Sequence, residues 1–347
     1  MSTADGGPLA DVGAVVIGRN EGERLARCLD SLHGTVARIV YADSGSSDGS
    51  VELARARGAE VVELPRDRPM NAARGRNAGF ARLRTLGPDL AYVFFVDGDC
   101  RVEPGFLAAA RAALAADNGL VAVCGRRREL FPDASLYNRV VDCEWNTPVG
   151  ASDGFGGDVL VRASALAAIG GYDEAMNQGE DPETAFRLRA AGGRILRLAH
   201  DMTWHDVALH SFAAWRRRHR RGGHAYAHGA WKHRAHPRRY NQRAVLSILA
   251  WGAALPLVAL AAGPFTRGLS LALFALYGVQ WARIRAHRRR QGDDGRSAAR
   301  YALLITYGKL EEAVGVLSCF LGLARGRGAR VIEYKASAPA ERERRAA

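Results

Sequence analysis

From Gly13 to about Arg197, short apolar runs alternate with stretches in which apolar residues recur every three or four positions. The runs at 14–17, 38–42, 60–64, 92–96 and 120–124 predict strands. Between them, Leu25, Cys28, Leu29 and Leu32 share one face of a helix, and Val51, Leu53 and Ala54 mark a second, capped by Ser47 or Asp48. Further helices are expected over 71–86 and 104–116. Residues 92–96 are apolar without interruption, as in a strand buried on both faces of a parallel sheet. This rhythm predicts an α/β fold built on a doubly wound, mostly parallel sheet. Ligands of such sheets bind beyond the carboxyl ends of the strands.

Past that point the pattern changes. Residues 244–266 are 23 positions without a charge, enough at about 1.5 Å per residue to cross a hydrocarbon core of about 30 Å. Pro256 would kink such a helix, which membrane helices tolerate. A second uncharged run, 268–282, has 15 positions and spans roughly 22 Å as a helix. It crosses only if Arg267 and Arg283 snorkel to the interfaces. A third run, 301–324, is broken by Lys309, Glu311 and Glu312 and suits an interfacial helix. The organisation expected is an α/β domain over 11–210, a basic juxtamembrane segment over 211–243, a transmembrane hairpin over 244–283, and a basic cytoplasmic tail over 284–347. A buried helical hairpin in a soluble protein is the competing arrangement.

Composition is ordinary for a globular chain, with 48% apolar and 24% charged residues, so disorder is excluded. Charge changes the picture. Residues 1–215 carry 23 basic and 29 acidic side chains, whereas 216–347 carry 26 and 7, for a net of +13 over the chain. No recognition motif accompanies the arginine clusters, so nucleic acid is not an expected partner. Both basic flanks, 216–239 and 283–300, fall on one side of a hairpin. The positive-inside rule places that side in the cytoplasm, at the inner cell membrane. Five scattered cysteines with no Cys-x-x-Cys pair fit neither a zinc site nor a disulfide framework. Residues 1–11 show no signal-peptide pattern.

Candidate chemistry gathers at the predicted strand ends. Asp97-Gly98-Asp99 follows the buried run directly and places two carboxylates around a flexible glycine, suited to a ribose and to a hard cation. Mg²⁺ or Mn²⁺ favours oxygen ligands plus substrate phosphates, so a diphosphate is the natural occupant. Asp43, heading a Ser/Gly-rich stretch, could accept hydrogen bonds from a base or ribose, or could simply belong to a helix-capping turn. Arg74, Arg76 and Asn77, with Asn71, sit at a helix start suited to a phosphate or nucleoside. Glu180-Asp181-Pro182 opens another helix, where acids complement the helix dipole and a carboxylate could also act as a general base. His205, just past the last strand, could complete a metal shell.

Val15-Val16-Ile17-Gly18-Arg19-Asn20-Glu21, Asp43-Ser44-Gly45-Ser46-Ser47-Asp48-Gly49-Ser50, Asp97-Gly98-Asp99, Gly156-Gly157-Asp158 and Glu180-Asp181 occur in this order. Together they resemble family 2 glycosyltransferases of the GT-A fold, over roughly residues 11–206. The resemblance implies inverting transfer of a sugar from a UDP- or GDP-linked donor. Taken with the residues read above, the candidates for holding the donor are Asn20, Glu21, Asp43, Ser44, Arg74, Arg76, Asn77 and Asp97, of which the resemblance itself implies Asp43 for the nucleoside and Asp97 for the nucleotide. Asp97, Asp99 and His205 are then the candidates for the metal, and the Glu180-Asp181 pair, Asp181 foremost, supplies the base. The basic tail ending in Val331-Ile332-Glu333-Tyr334-Lys335 is similar to that of membrane-attached bacterial members. The Gln-x-x-Arg-Trp signature of processive synthases is absent, so one sugar per visit is expected. A lipid-linked glycan at the membrane surface is the expected acceptor. The rivals are nucleotide transfer to a sugar phosphate, for which residues 18–21 lack a Gly/Lys-rich phosphate loop, and a degenerate membrane-anchored binding module. A dehydrogenase is disfavoured because no Gly-x-Gly-x-x-Gly follows the first strand.

Overall fold

The computed structural model describes residues 7–326. The chain opens with β1 (Leu9–Gly18), α1 (Glu23–Leu32), β2 (Val36–Asp43), α2 (Ser50–Ala56), β3 (Glu60–Glu63), α3 (Ala72–Leu86) and β4 (Tyr92–Asp97). These four strands lie parallel in the order β3-β2-β1-β4. Register then does what sequence distance hides. Gly18 pairs with Asp43 and Ile17 with Asp97, so Asp43 and Asp97, on strands either side of β1, end at the same edge of the sheet.

The second half of the domain adds β5 (Cys100–Val102), α4 (Phe106–Ala116), β6 (Leu120–Glu129), α5 (Leu136–Trp145), β7 (Gly150–Ala151), β8 (Val159–Arg162), α6 (Ala163–Ala168), α7 (Glu180–Ala190) and β9 (Arg194–His205). Here the sheet is mixed. β8 lies antiparallel between β4 and β6, β9 runs parallel to β6, and β5 and β7 lie antiparallel to β9. β8 has only four residues, too few to stand out as a periodic run.

The uninterrupted apolar run of β4 is buried because helices cover both faces. Phe94 packs on Phe106 of α4, while Phe95 packs on Phe80 of α3 and on Tyr172. Each such ring contributes about 1.5–3 kcal/mol relative to exposure. On α1 the four residues singled out by their spacing are all buried. The five cysteines are buried free thiols.

Beyond the sheet, α8 (Phe212–Lys232) starts at Ser211, whose side chain accepts from Ala214 N. α9 (Gln242–Leu249) continues through a π-helical segment, Ala250–Ala254, into α10 (Leu255–Ala261), and Pro256 sits in that helix's first turn. The chain returns through a 3₁₀ segment, Leu269–Phe274, and α11 (Ala275–Arg290). The two legs are antiparallel: Ser270 Oγ donates to Ala259 O at 2.7 Å and Tyr277 Oη to Trp251 O at 2.5 Å. Because a 3₁₀ turn rises about 2.0 Å per residue, the return leg reaches about 25 Å by residue 283, beyond the 22 Å of an α-helix over 268–282. Among the described residues, one helix, Gln242–Ala261, with mean hydropathy 2.2, is long and apolar enough to cross a membrane.

The last helix, α12 (Gly295–Ala324), lies along α8. The charges that interrupt its apolar run turn inward. Glu311 accepts from Arg216 and Arg220, and Glu312 accepts from Lys309 at 2.7 Å and faces His219. Leu303, Val314, Leu317 and Leu321 are left exposed on the opposite side. Glycines make the close packing possible: a Cβ at Gly223 or Gly315 would run into the backbone of the facing helix. The 331–335 motif lies outside the described residues.

Candidate active site

The strand ends of β1, β2, β4 and β6 carry the polar groups. On β2, Asp43 is almost fully buried. Its carboxylate accepts from Gly45 N and Ser46 N, both at 2.8 Å, and from Tyr41 Oη at 3.0 Å, so it organises the Ser/Gly loop behind it. Ser44 joins the same loop to β1 by donating its N–H to Gly18 O. Asn20, left-handed at φ 55°, staples the first loop to the second: its N–H donates to Ser46 Oγ and its Oδ1 accepts from Ser47 N. Glu21 is buried and pairs with Arg24 at 2.7 Å. These four residues build one wall of the strand-end crevice.

Arg76 is the hub of the site. Its guanidinium is 2% exposed and reaches Glu180 Oε1 at 2.8 Å, Asp97 Oδ1 at 3.0 Å and Asp181 Oδ1 at 3.4 Å. The three sequence-predicted acids on β4 and α7 are thus gathered by one cation from α3. Arg74 and Asn77, expected beside it as donor contacts, are engaged with the protein's own loops. Arg74 donates to Arg68 O, Pro65 O and Asp67, while Asn77 clamps Tyr172 through both its N–H and its C=O. The helical period places Arg76 toward the crevice and turns its neighbours away.

A second cation escaped the sequence reading. Arg127 of β6 donates to Asp97 Oδ2 at 3.1 Å and to Asp158 at 2.8 Å. Asp158 is fully buried and also accepts from Thr203 Oγ1. A Cβ at Gly157 would overlap the Asp97 carboxylate and lie 2.8 Å from Arg127 Nη2, so only glycine lets this turn come so close. The Gly156-Gly157-Asp158 triplet was the available signal; Arg127 had none, because it sits in a run of three arginines. Gly98 is likewise set by proximity and not by flexibility, since its N–H donates to Ile17 O and a Cβ would lie 3.1 Å from that oxygen.

On the other side of β4, Asp99 Oδ1 lies 3.3 Å from His205 Nε2 at the end of β9. The imidazole is held edge-on by Trp145 at 5.2 Å, and its Nδ1 is buried with no hydrogen-bond partner among the described residues. Asp99, Cys100 and His205 each bring one potential ligand atom within 4.8 Å of the others. Burial foremost, with the nearby carboxylates, pushes the Cys100 thiol well up, so it stays protonated. A carboxylate oxygen and an imidazole nitrogen with the remaining positions open fit a hard or borderline divalent cation that keeps substrate oxygens as ligands.

The acids of α7 divide. Glu180 spends its carboxylate on Arg76, whereas Asp181 Oδ1 is buried without a hydrogen bond. Burial, reinforced by Glu180 and Asp97 and opposed by Arg76, holds the Asp181 carboxyl well above the usual range.

A parallel strand-end crevice, a carboxylate pair at the end of β4 and an acid-headed helix facing it are features of the GT-A fold. Residues 14–149 match the family model for glycosyl transferase family 2. The succinoglycan biosynthesis protein ExoA of Rhizobium meliloti is 28% identical over 192 residues, covering 51% of this chain and 57% of that protein. The pre-mycofactocin glycosyltransferase of Mycobacterium tuberculosis is 30% identical over 212 residues, covering 55% and 43%. The chain therefore spans about half the length of the curated relatives it matches. Among solved structures, a mannosyltransferase, PcManGT of Pyrobaculum calidifontis, in complex with GDP-Man and Mn²⁺, shares the fold with a TM-score of 0.59 and 20% identity. That match covers 88% of this chain and 87% of that one.

Proposed function

We propose that this protein is an inverting glycosyltransferase that moves one sugar from a UDP- or GDP-linked donor to an acceptor hydroxyl. The observation that carries the reading is Asp181: a buried carboxylate oxygen with no hydrogen bond, in the same Arg76-linked cluster as Asp97. A general base for an incoming hydroxyl needs a lone pair not committed to a hydrogen bond and a raised basicity. Asp181 Oδ1 makes no hydrogen bond, only a 3.4 Å ion pair with Arg76, and burial raises its carboxyl. Glu180, neutralised by Arg76, supports it from the side.

Asp99 and His205 would hold Mg²⁺ or Mn²⁺, with Asp97 contributing through water. The metal, when bound, supplies charge neutralisation for the departing nucleoside diphosphate. The loop organised by Asp43, Ser44, Asn20 and Glu21 forms the nucleoside end of the crevice. Arg76 and Arg127 hold Asp97 from two sides and fix its direction. Asp181 takes the proton of the acceptor hydroxyl as that oxygen attacks the anomeric carbon opposite the leaving group, which inverts the centre. The Pyrobaculum mannosyltransferase, with GDP-Man and Mn²⁺, has a donor and metal of this chemical class.

The helical part supports a membrane address. The hairpin tip exposes Phe265 at 89% and Leu269 at 79%, surfaces that water would not favour. With basic flanks at the hairpin's base, the catalytic domain faces the cytoplasm at the inner membrane. A lipid-linked glycan or cell-surface polysaccharide precursor is the acceptor that this address supplies.

The test is donor-dependent release of nucleoside diphosphate by the membrane-bound protein, screening UDP- and GDP-sugars with Mn²⁺ or Mg²⁺. Turnover with one donor, lost in Asp99→Ala and Asp181→Asn, is expected. Absence of any nucleotide binding would replace the transferase with a degenerate binding module.

A further inference from the structure

The segment joining α8 to the apolar hairpin, residues 233–241, grips the helix that carries the candidate base. α7 is held by it at three successive turns. Glu183, fully buried two residues after Asp181, accepts from His233 Nε2 at 2.9 Å as well as from Arg187 Nε at 2.9 Å. One turn on, the ring of Phe186 is enclosed by His233 and His236, each at 4.9 Å, and by Tyr240 at 4.5 Å. At the helix end, Arg238 Nη1 donates to Arg189 O at 2.6 Å.

The grip is itself built tightly. Arg239 and Asn241 both adopt left-handed backbone, at φ 49° and 57°, which non-glycine residues adopt only when the surroundings fix it. A Cβ on Gly229 would lie 2.6 Å from the Tyr240 ring, so glycine is what lets that ring seat against α8. From Glu183 the linkage continues through Arg187, whose Nη1 donates to Ile169 O, into the Gly170-Gly171-Tyr172 turn, where Lys232 pairs with Asp173. A buried carboxylate needs every donor it has, because an unmatched charge in the interior is costly.

We propose that His233 is a positioning residue for Asp181, acting through Glu183 to fix the first turn of α7, so that the basic segment aligns the base as well as meeting the membrane surface. This rests on the reading of Asp181 as the base. His233 touches neither donor nor metal residues among the contacts described, so its loss is expected to lower kcat while leaving donor binding intact.

The experiment uses the full-length protein in membranes, with Mn²⁺ and the sugar nucleotide that supports turnover, and measures kcat, donor KM and nucleoside diphosphate affinity for wild type, His233→Ala and His233→Gln. His233→Ala is expected to lower kcat about tenfold or more with donor KM and nucleotide affinity unchanged. Each tenfold corresponds to about 1.4 kcal/mol of barrier. His233→Gln, which restores an N–H donor of similar reach, is expected to recover most of the loss. Wild-type kcat in His233→Ala would overturn the proposal. So would an equal fall in nucleotide affinity and kcat in both variants, since that reports general unfolding. If wild type turns over no donor, the transferase reading itself fails, an outcome separate from these.

Discussion

Asp181 and Asp158 are both acids in the same crevice, but their surroundings assign them opposite work. Asp158 is saturated by Arg127 and Thr203, whereas Asp181 keeps an oxygen that makes no hydrogen bond and is met only by the Arg76 ion pair at 3.4 Å. Because burial raises the Asp181 carboxyl, the folded protein binds its proton more tightly than the unfolded chain does. Stability therefore falls as pH rises from the ordinary aspartate value of about 3.9 through the raised folded value. Turnover runs the other way over that window, since only the carboxylate can accept a proton. A kcat–pH profile is expected to show an acid limb above the usual aspartate range. Asp181→Asn should abolish that limb, lower turnover by about 10²–10⁴-fold, and flatten the melting temperature over the same pH range. For Asp158 the effect is structural. Arg127→Leu leaves a fully buried carboxylate unmatched and should destabilise by about 3–5 kcal/mol, read as a large drop in melting temperature together with weakened nucleotide binding as Asp97 loses one of its two cations.

Elements explain why residues of unlike sequence share a task. The strand ends meet because parallel register sets Gly18, Asp43, Ile17 and Asp97 on neighbouring rungs. The helices of the C-terminal part meet through glycines. A Cβ on Gly223 would strike the Glu312 carbonyl, while one on Gly222 meets nothing within 4 Å. Gly223→Ala is therefore expected to force α8 and α12 apart and destabilise by about 1–3 kcal/mol. Gly222→Ala, in the same helix, should be neutral or stabilising by up to about 1 kcal/mol. Thermal melts of the two variants side by side check this, and equal melting temperatures would mean that the helices are not in such close contact.

At the scale of the whole molecule, an acidic α/β front is joined to a basic, apolar-tipped back. If the hairpin enters the bilayer, Phe265→Asp with Leu269→Asp should move the protein from the membrane to the soluble fraction. A cysteine placed at Pro264 should be labelled only from the side opposite the catalytic domain. Labelling only from the cytoplasmic side would exclude a crossing hairpin. The parallel half of the sheet, the helix faces and the position of the acids at 43, 97 and 99 at strand ends were legible in the sequence, because burial on both faces writes a continuous apolar run and a strand end turns its next residues out into the crevice. Antiparallel β8 was not, being too short for a period. Nor was Arg127, since three consecutive arginines do not say which one the pleat turns inward. Arg74, Arg76 and Asn77 read alike as polar residues at a helix start, and only the packing of α3 separated the hub from the loop clamps. The basic stretch after the domain read as a juxtamembrane segment, yet its end folds back to hold α7. Local pattern determines which elements form and what chemistry they can carry; which side chains meet, and which buried carboxylate oxygen is left without a hydrogen bond, is decided by register and packing across the fold.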